Sequence, residues 1–257
     1  MQLSVVVPTL DGRDRLAACL DAIAERAPDA EVIVVNGPST DGTTGMIDDR
    51  DDVDVLVEIA SRTRNVARNA GIDAATGDVV ALVGDDLQLE SGWLEAVVDG
   101  LTDAPVVTGP IHRSLRGGVT TDSPHEERIA GRTVTALSGN NVAVRRSVVD
   151  ALDGFDEYLE TGGAWDLAHR LAATDHDVAW RSGMSVRCEY EADGGQTRPD
   201  WGWTYRALAY RLVKNYGLRP TIARRTLSHA ARDAVTAAKD VITGDAKPTS
   251  WVGNGRA

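Results

Sequence analysis

The sequence predicts an α/β fold in which a mostly parallel sheet carries helices on both faces and a helical appendage follows at the C-terminal end. Three observations carry this expectation. Short β-branched runs alternate with stretches of 3.6-residue apolar period through the first hundred residues, the pattern of parallel strands joined by crossover helices. The run Val79-Val-Ala-Leu-Val83 is apolar throughout, as a strand buried on both faces requires. From residue 201 the pattern changes to an apolar stripe flanked by basic residues.

The elements follow in order. Leu3-Ser-Val-Val-Val-Pro8-Thr9 reads as a strand, and Leu16, Cys19, Leu20 and Ile23 recur at helical spacing after it. Glu31-Val-Ile-Val-Val-Asn36 repeats the strand signal. The turn Gly37-Pro-Ser-Thr-Asp-Gly-Thr43 then offers hydroxyls and Asp41 as caps for a short helix. Val53 to Glu58 is a third strand, Arg64 to Ala75 a helix closed by Gly77, and Val79 to Val83 a fourth strand. Ligands of such sheets bind outside the carboxyl ends of the strands. Pro8-Thr9, Asn36 and Asp85-Asp86 therefore converge on one edge. The two carboxylates have two readings. With Ser91 they supply caps for a helix from Gly92 to Gly100, or they offer oxygens to a hard cation such as Mg²⁺ or Mn²⁺ that also holds substrate phosphates. Ser114 to Arg132, with Gly117-Gly118 and Pro124, shows no period and is expected to be a mobile loop over the site. The segment after Thr243 is expected to fray.

A chain of 257 residues with 42% hydrophobic and 26% charged residues suits one soluble core with an appendage. Cys19 and Cys188 make no disulfide or zinc framework, which points to a reducing interior. Met1-Gln-Leu-Ser leads straight into a strand, and no run approaches the ~20 apolar residues of a membrane span. The expected location is cytoplasmic, or peripheral on the inner face of the cell membrane. Net charge is −12, and lysine occurs only at Lys214, Lys239 and Lys247. That balance fits either solubility in concentrated salt or an ordinary acidic enzyme, and no nucleic-acid partner is expected. Residues 201–257 depart from it, with ten bases against three acids. There Trp201, Trp203, Tyr205, Leu208, Leu212 and Tyr216 form a stripe beside Arg206, Arg211 and Lys214. Such a segment either lies in a membrane interface, through residues 201–243, or packs its stripe on the main domain.

Several short motifs then fall into an ordered series: Ser4-Val-Val-Val-Pro-Thr9, Val35-Asn-Gly-Pro-Ser-Thr-Asp-Gly-Thr43, Ala67-Arg-Asn-Ala-Gly71, Asp85-Asp86, Ser138-Gly-Asn-Asn-Val-Ala-Val-Arg-Arg146, Gly154-Phe-Asp156 and Trp165-Asp-Leu167. In this order the chain resembles the family-2 inverting glycosyltransferases of the GT-A fold. The resemblance implies a GT-A domain over residues 1–200, with a nucleotide-sugar half to 110 and an acceptor half from 111, and a basic amphipathic helical tail over 201–257. It implies a metal-dependent hexosyltransferase of cell-surface glycan biosynthesis, with a nucleotide-diphosphate sugar held near Pro8, Thr9, Leu10, Asn36, Asp41, Arg64, Arg68 and Asp85. Asp86 would take Mg²⁺ or Mn²⁺, and Asn140, Asn141 and Trp165 would line the acceptor side.

The departures are specific. Gly84 stands where the family writes the first Asp of its Asp-x-Asp triplet, and Asn36-Gly37 stand where it usually has two Asp. Gly163 and Ala164 occupy the places of a Glu-Asp pair whose Asp is the general base. Val186-Arg-Cys188-Glu189-Tyr-Glu191 lacks the family's metal-ligating His. A sugar-hydroxyl acceptor needs a base within hydrogen-bond reach. Asp166 is the nearest replacement, or else only the cap of a helix over Leu167 to Ala173. The acceptor is a glycan or a polyprenyl phosphate, and the phosphate, already anionic, needs no base. The rival is a nucleotide-sugar-binding protein without turnover. A dinucleotide-dependent oxidoreductase is disfavoured, since Pro8-Thr-Leu-Asp-Gly12 is not the Gly-rich turn that pyrophosphate requires.

Overall fold

A computed structural model of the chain describes residues 1–115, 118–174, 176–188 and 201–222, with residues 224 and 228. The chain divides into two units, Met1–Gly194 and Gly195–Ala257. In the first, β1 (Leu3–Thr9), α1 (Arg13–Arg26), β2 (Glu31–Asn36), α2 (Thr43–Asp48), β3 (Val55–Glu58), α3 (Arg64–Ala74) and β4 (Val79–Val83) alternate as the hydrophobic pattern requires. There follow β5 (Gln88–Leu89), α4 (Trp93–Asp103), β6 (Val106–Thr108), β7 (Ile111–Leu115), β8 (Gly118–Thr121), β9 (Glu126–Ile129) and β10 (Arg132–Thr135). The unit continues through β11 (Asn141–Arg145), α5 (Arg146–Ala151), α6 (Gly163–Ala173), β12 (Val178–Trp180) and β13 (Val186–Cys188).

The main sheet has the order β12-β6-β11-β4-β1-β2-β3. All neighbouring pairs are parallel except those of β11, which runs against both β4 and β6. Side chains alternate across a strand, so Val5 and Val7 enter one core with Leu16, Leu20 and Ile23 of α1 and Trp93 and Val97 of α4. Val6 enters the other core, with Ala67 and Ile72 of α3 and Leu167 and Leu171 of α6. Burial on both faces explains why the central strands read as unbroken apolar runs. Their carboxyl ends place Thr9, Asn36 and Gly84-Asp85-Asp86 along one edge.

Two expectations are corrected. The stretch from Ser114 to Arg132 holds paired strands rather than a structureless loop. β8 pairs with β7, and β9 pairs with β10. All of β8 is exposed, so no alternation of apolar residues was there to find. The helix expected from Leu167 starts at Gly163, with Gly162 in the left-handed conformation at its cap position. Asp166 therefore lies inside α6 and does not cap it. In the second unit, α7 (Trp201–Tyr216) places the Arg206 guanidinium 5.7 Å from the Trp203 ring centroid. The 201–243 membrane-contact expectation falls only in part on described residues, and the fraying expected after Thr243 falls outside them. No described helix is long and apolar enough to cross a membrane.

Candidate active site at the strand ends

The ends of β1 and β4 and the start of α3 enclose a cleft of about 180 Å³. Pro8, Thr9, Leu10, Arg64 and Asp85, all expected near the donor, line it together. Arg15, Ser61, Arg62 and Thr63 also line it and were not anticipated. A signal existed for them. Arg15 falls in the first turn after β1, and Ser61-Arg-Thr63 forms the loop at the carboxyl end of β3, both positions that point at the binding edge of such a sheet.

Asp85 is held from two sides. Thr9 Oγ1 donates to its Oδ2 at 2.8 Å, and the Arg15 guanidinium lies 3.3 Å from the same oxygen. Burial nevertheless pushes the Asp85 carboxyl up, and the neighbouring Asp86 adds to this against the opposing pull of Thr9 and Arg15. Beneath the pair, the Cys19 thiol donates to Gly84 O at 3.5 Å, and burial followed by the two aspartates pushes its pKa up. Cys19 is thus a protonated core residue. Asp86 is half-buried, with the Cys188 sulfur 3.6 Å from its Oδ2. Gly84 leaves it room, since a Cβ at 84 would lie 2.9 Å from Asp86 Oδ1. The helix-cap reading of the pair is excluded: the cap position of α4 is Gly92, in the left-handed conformation, with no side-chain cap bond.

Among the described residues no group of three His, Cys, Asp or Glu is placed to hold a metal by itself. Two adjoining carboxylates, one raised in pKa by burial, do fit a hard cation shared with substrate phosphates, because Mg²⁺ and Mn²⁺ take oxygen ligands and Mg²⁺ often takes only one or two from protein.

Asn36 and Asp41, also expected near the donor, do not line the cleft and are instead engaged in bonds within the turn after β2 and to the start of α1. Asn36 is buried, its Oδ1 accepting from Ser39 Oγ at 2.7 Å and its Nδ2 donating to Thr44 Oγ1 at 2.8 Å. Asp41 accepts the backbone N–H of Arg13 at 3.0 Å and that of Thr43 at 3.1 Å, tying together the starts of α1 and α2. The Arg13 N–H leads the bonds that hold its carboxyl below the usual range.

On the far side of β4, Arg68 is buried rather than lining the cleft. It donates to Asn65 Oδ1 at 2.9 Å and to Asn140 Oδ1 at 2.7 Å. Asn141 is fully buried, receiving Trp93 Nε1 at 3.0 Å and donating to Met184 O at 2.8 Å. It ties the start of β11 to α4 and to the loop before β13. Trp165 is half-buried with its ring 6.0 Å from that of His125, edge to face. Asp166 has 0% exposure and its Oδ2 accepts from Arg170 Nε at 2.8 Å. Arg170 in turn donates to Leu152 O and Gly154 O. A carboxylate sealed and paired in this way anchors α6 and is closed to an acceptor hydroxyl, which corrects the expectation of a base there. The replacement at 163 has a steric cause. A Cβ on Gly163 would lie 2.3 Å from Asn65 Nδ2, so no glutamate fits at 163 while Asn65 keeps its place.

A mostly parallel sheet with one reversed strand, and a carboxylate pair at the end of β4 beside a cleft, define the α/β class of GT-A proteins. Solved structures agree. A mannosyltransferase from Pyrobaculum calidifontis, in complex with GDP-Man and Mn2+, superposes with a TM-score of 0.65 at 17% identity, covering 98% of this chain and 83% of that one. S. aureus TarS 1-349 in complex with UDP-GlcNAc gives 0.65 at 17% identity, covering 85% and 68%. Residues 4–152 match the family model of glycosyl transferase family 2, and the chain belongs to that family. Glycosyltransferase AglE of Haloferax volcanii is 27% identical over 188 residues, 67% of this chain. The aligned region spans 61% of that relative's length.

Proposed function

We propose that this protein is an inverting glycosyltransferase that moves a hexose from a nucleotide-diphosphate donor to the phosphate of a polyprenyl-phosphate lipid. The observation that carries the acceptor class is the state of Asp166. With Gly163 and Ala164 in the family's base positions and Asp166 sealed against Arg170, an acceptor oxygen that is already anionic removes the need for a base. In the displacement, that oxygen bonds to the anomeric carbon on the face opposite the diphosphate. The glycosidic C–O bond then breaks with its electron pair leaving on the nucleoside diphosphate. Thr9, Asp85 and Arg15 hold the nucleotide side of the cleft, and Arg62 and Arg64 on its wall balance the diphosphate charge. Asp86 and Asp85 would hold Mg²⁺ or Mn²⁺. When bound, the cation neutralises charge developing on the leaving group. The mannosyltransferase neighbour's complex with GDP-Man and Mn2+ supports this reading. A lipid-borne acceptor also gives the basic tail over 201–243 a purpose, as a peripheral contact with the membrane surface.

The test is a donor screen with Mg²⁺ or Mn²⁺, offering polyprenyl phosphate beside simple sugars. Transfer to the lipid phosphate is expected, with Asp86→Ala lowering turnover about 100-fold while the fold persists. Transfer to sugar hydroxyls alone would overturn the acceptor class. The three non-acidic residues Gly84, Gly163 and Ala164 favour one rival, a nucleotide-sugar binder without turnover. Donor binding with no release of nucleoside diphosphate would establish it.

A further inference from the structure

Arg68 lies nine-tenths buried, 7% exposed, with no carboxylate bonded to it among the described residues. Its guanidinium lies 5.0 Å from the Phe155 ring centroid, and its Nε is buried without a hydrogen-bond partner. Buried charges are normally paired, because an uncompensated one is costly to desolvate. Burial first, and the charge of Arg64 second, disfavour its cationic form. The two side chains that accept hydrogen bonds from it are amides. A guanidinium has donors only, so each amide must turn its oxygen towards Arg68 and its nitrogen away. For Asn65 the nitrogen is used within the fold, donating to Asp156 O at 3.0 Å and Leu159 O at 2.6 Å. For Asn140 it is not. Asn140 is half-exposed, its backbone is fixed by bonds to Ser138 Oγ and from Gly84 N, and its Nδ2 has no partner among the described residues. It sits beside the carboxylates, since a Cβ on Gly84 would lie 3.3 Å from Asn140 Cβ and 2.9 Å from Asp86 Oδ1. Gly139 brings the chain close enough for this contact. A Cβ there would lie 2.8 Å from an Arg68 terminal nitrogen.

We infer that Arg68 and Asn140 form an anion-recognition pair. Arg68 is a positioning residue that locks the Asn140 amide, and Asn140 Nδ2 donates to a phosphoryl oxygen of a substrate at the strand ends. The inference deepens the transferase reading and rests on it for the identity of the substrates. The phosphoryl group belongs either to the donor diphosphate or to the acceptor phosphate, and the experiment separates them.

Asn140→Asp is the informative variant. It gives Arg68 a counter-ion at the same distance while removing the outward donor, so a purely structural role and a binding role move in opposite directions. The full chain and the variants Asn140→Asp and Arg68→Met are compared in three measurements: thermal melting, titration with UDP and GDP in the presence of Mn²⁺, and titration with polyprenyl phosphate in detergent micelles. The binding arms need no turnover, so they remain readable even if transfer to a lipid phosphate is never observed. For Asn140→Asp the expected result is an unchanged or raised melting temperature together with at least about tenfold weaker binding of one phosphate ligand. Weakening confined to UDP and GDP assigns the contact to the donor, and weakening confined to polyprenyl phosphate assigns it to the acceptor. Arg68→Met is expected to weaken the same ligand and no other. Binding of both ligands within twofold of the parent in Asn140→Asp would overturn the inference, as would a lowered melting temperature with unchanged binding.

Discussion

Asp85, partly buried at the cleft, and Asp166, fully buried, both face an arginine, and their surroundings give them opposite consequences. Asp85 has its pKa raised by burial despite Thr9 and Arg15, so the folded state binds its proton more readily than the unfolded chain does. Stability is then lost as pH rises from the ordinary carboxylate range through the raised value. Asp85→Asn should therefore be more stable than the parent at neutral pH, the difference vanishing below the ordinary range. Parallel urea melts across pH check this, and a variant less stable at neutral pH would show that the Arg15 contact outweighs burial. Asp166 has an arginine partner that is itself tied to two carbonyls. Asp166→Ala strands that charge and should cost about 3–5 kcal/mol in the same melts. A loss of turnover with no loss of stability would instead return Asp166 to the reaction. The resemblance marked 166 as the nearest acid to the vacant base positions, but one number along a helix moves a side chain by about 100°, and only packing decided that this one turns inward.

At the scale of elements, the turn after β2 shows how a loop is made rigid enough to bind. Asp41 satisfies the first N–H groups of two helices at once, Arg13 of α1 and Thr43 of α2, groups that a helix leaves without internal partners. Its carboxyl is held low by these bonds. The stabilisation is present above the ordinary carboxylate range and is lost as pH falls through the lowered value. Asp41→Ala should cost about 1 kcal/mol at neutral pH and less in acid, and Asp41→Asn, which still accepts, should cost less than Ala. Chemical denaturation at two pH values measures both. The sequence showed this turn and named Asp41 as a cap. That it caps two elements, one of them 28 residues back in the chain, needed β1 and β2 to be neighbours in the sheet. The hairpins of β7 to β10 were missed for the converse reason: their side chains are largely exposed, and pairing through backbone groups leaves little trace in hydrophobic pattern.

At the scale of the molecule, 39 acidic residues against 27 basic ones make self-repulsion the leading electrostatic feature. Raising salt from 0.1 to 1 M shortens the screening length from about 10 to about 3 Å. The melting temperature should rise over that range. A fall would mean that exposed pairs such as those of Arg181 with Asp99 and Asp103 contribute more than the repulsion costs. The sequence by itself determined the parallel core, the order of its first four strands along the chain, and the edge at which Thr9 and Asp85 meet, because burial on both faces of a sheet writes itself into local runs of residues. It also showed which of the family's carboxylates are missing. Tertiary structure alone decided which polar side chains remain available: Asn141 and Asp166 are consumed inside the fold, while the nitrogen of Asn140 is left open among the described residues. Hydrogen-bond partners come from segments dozens of residues apart, and no local pattern records which donor reaches an acceptor first.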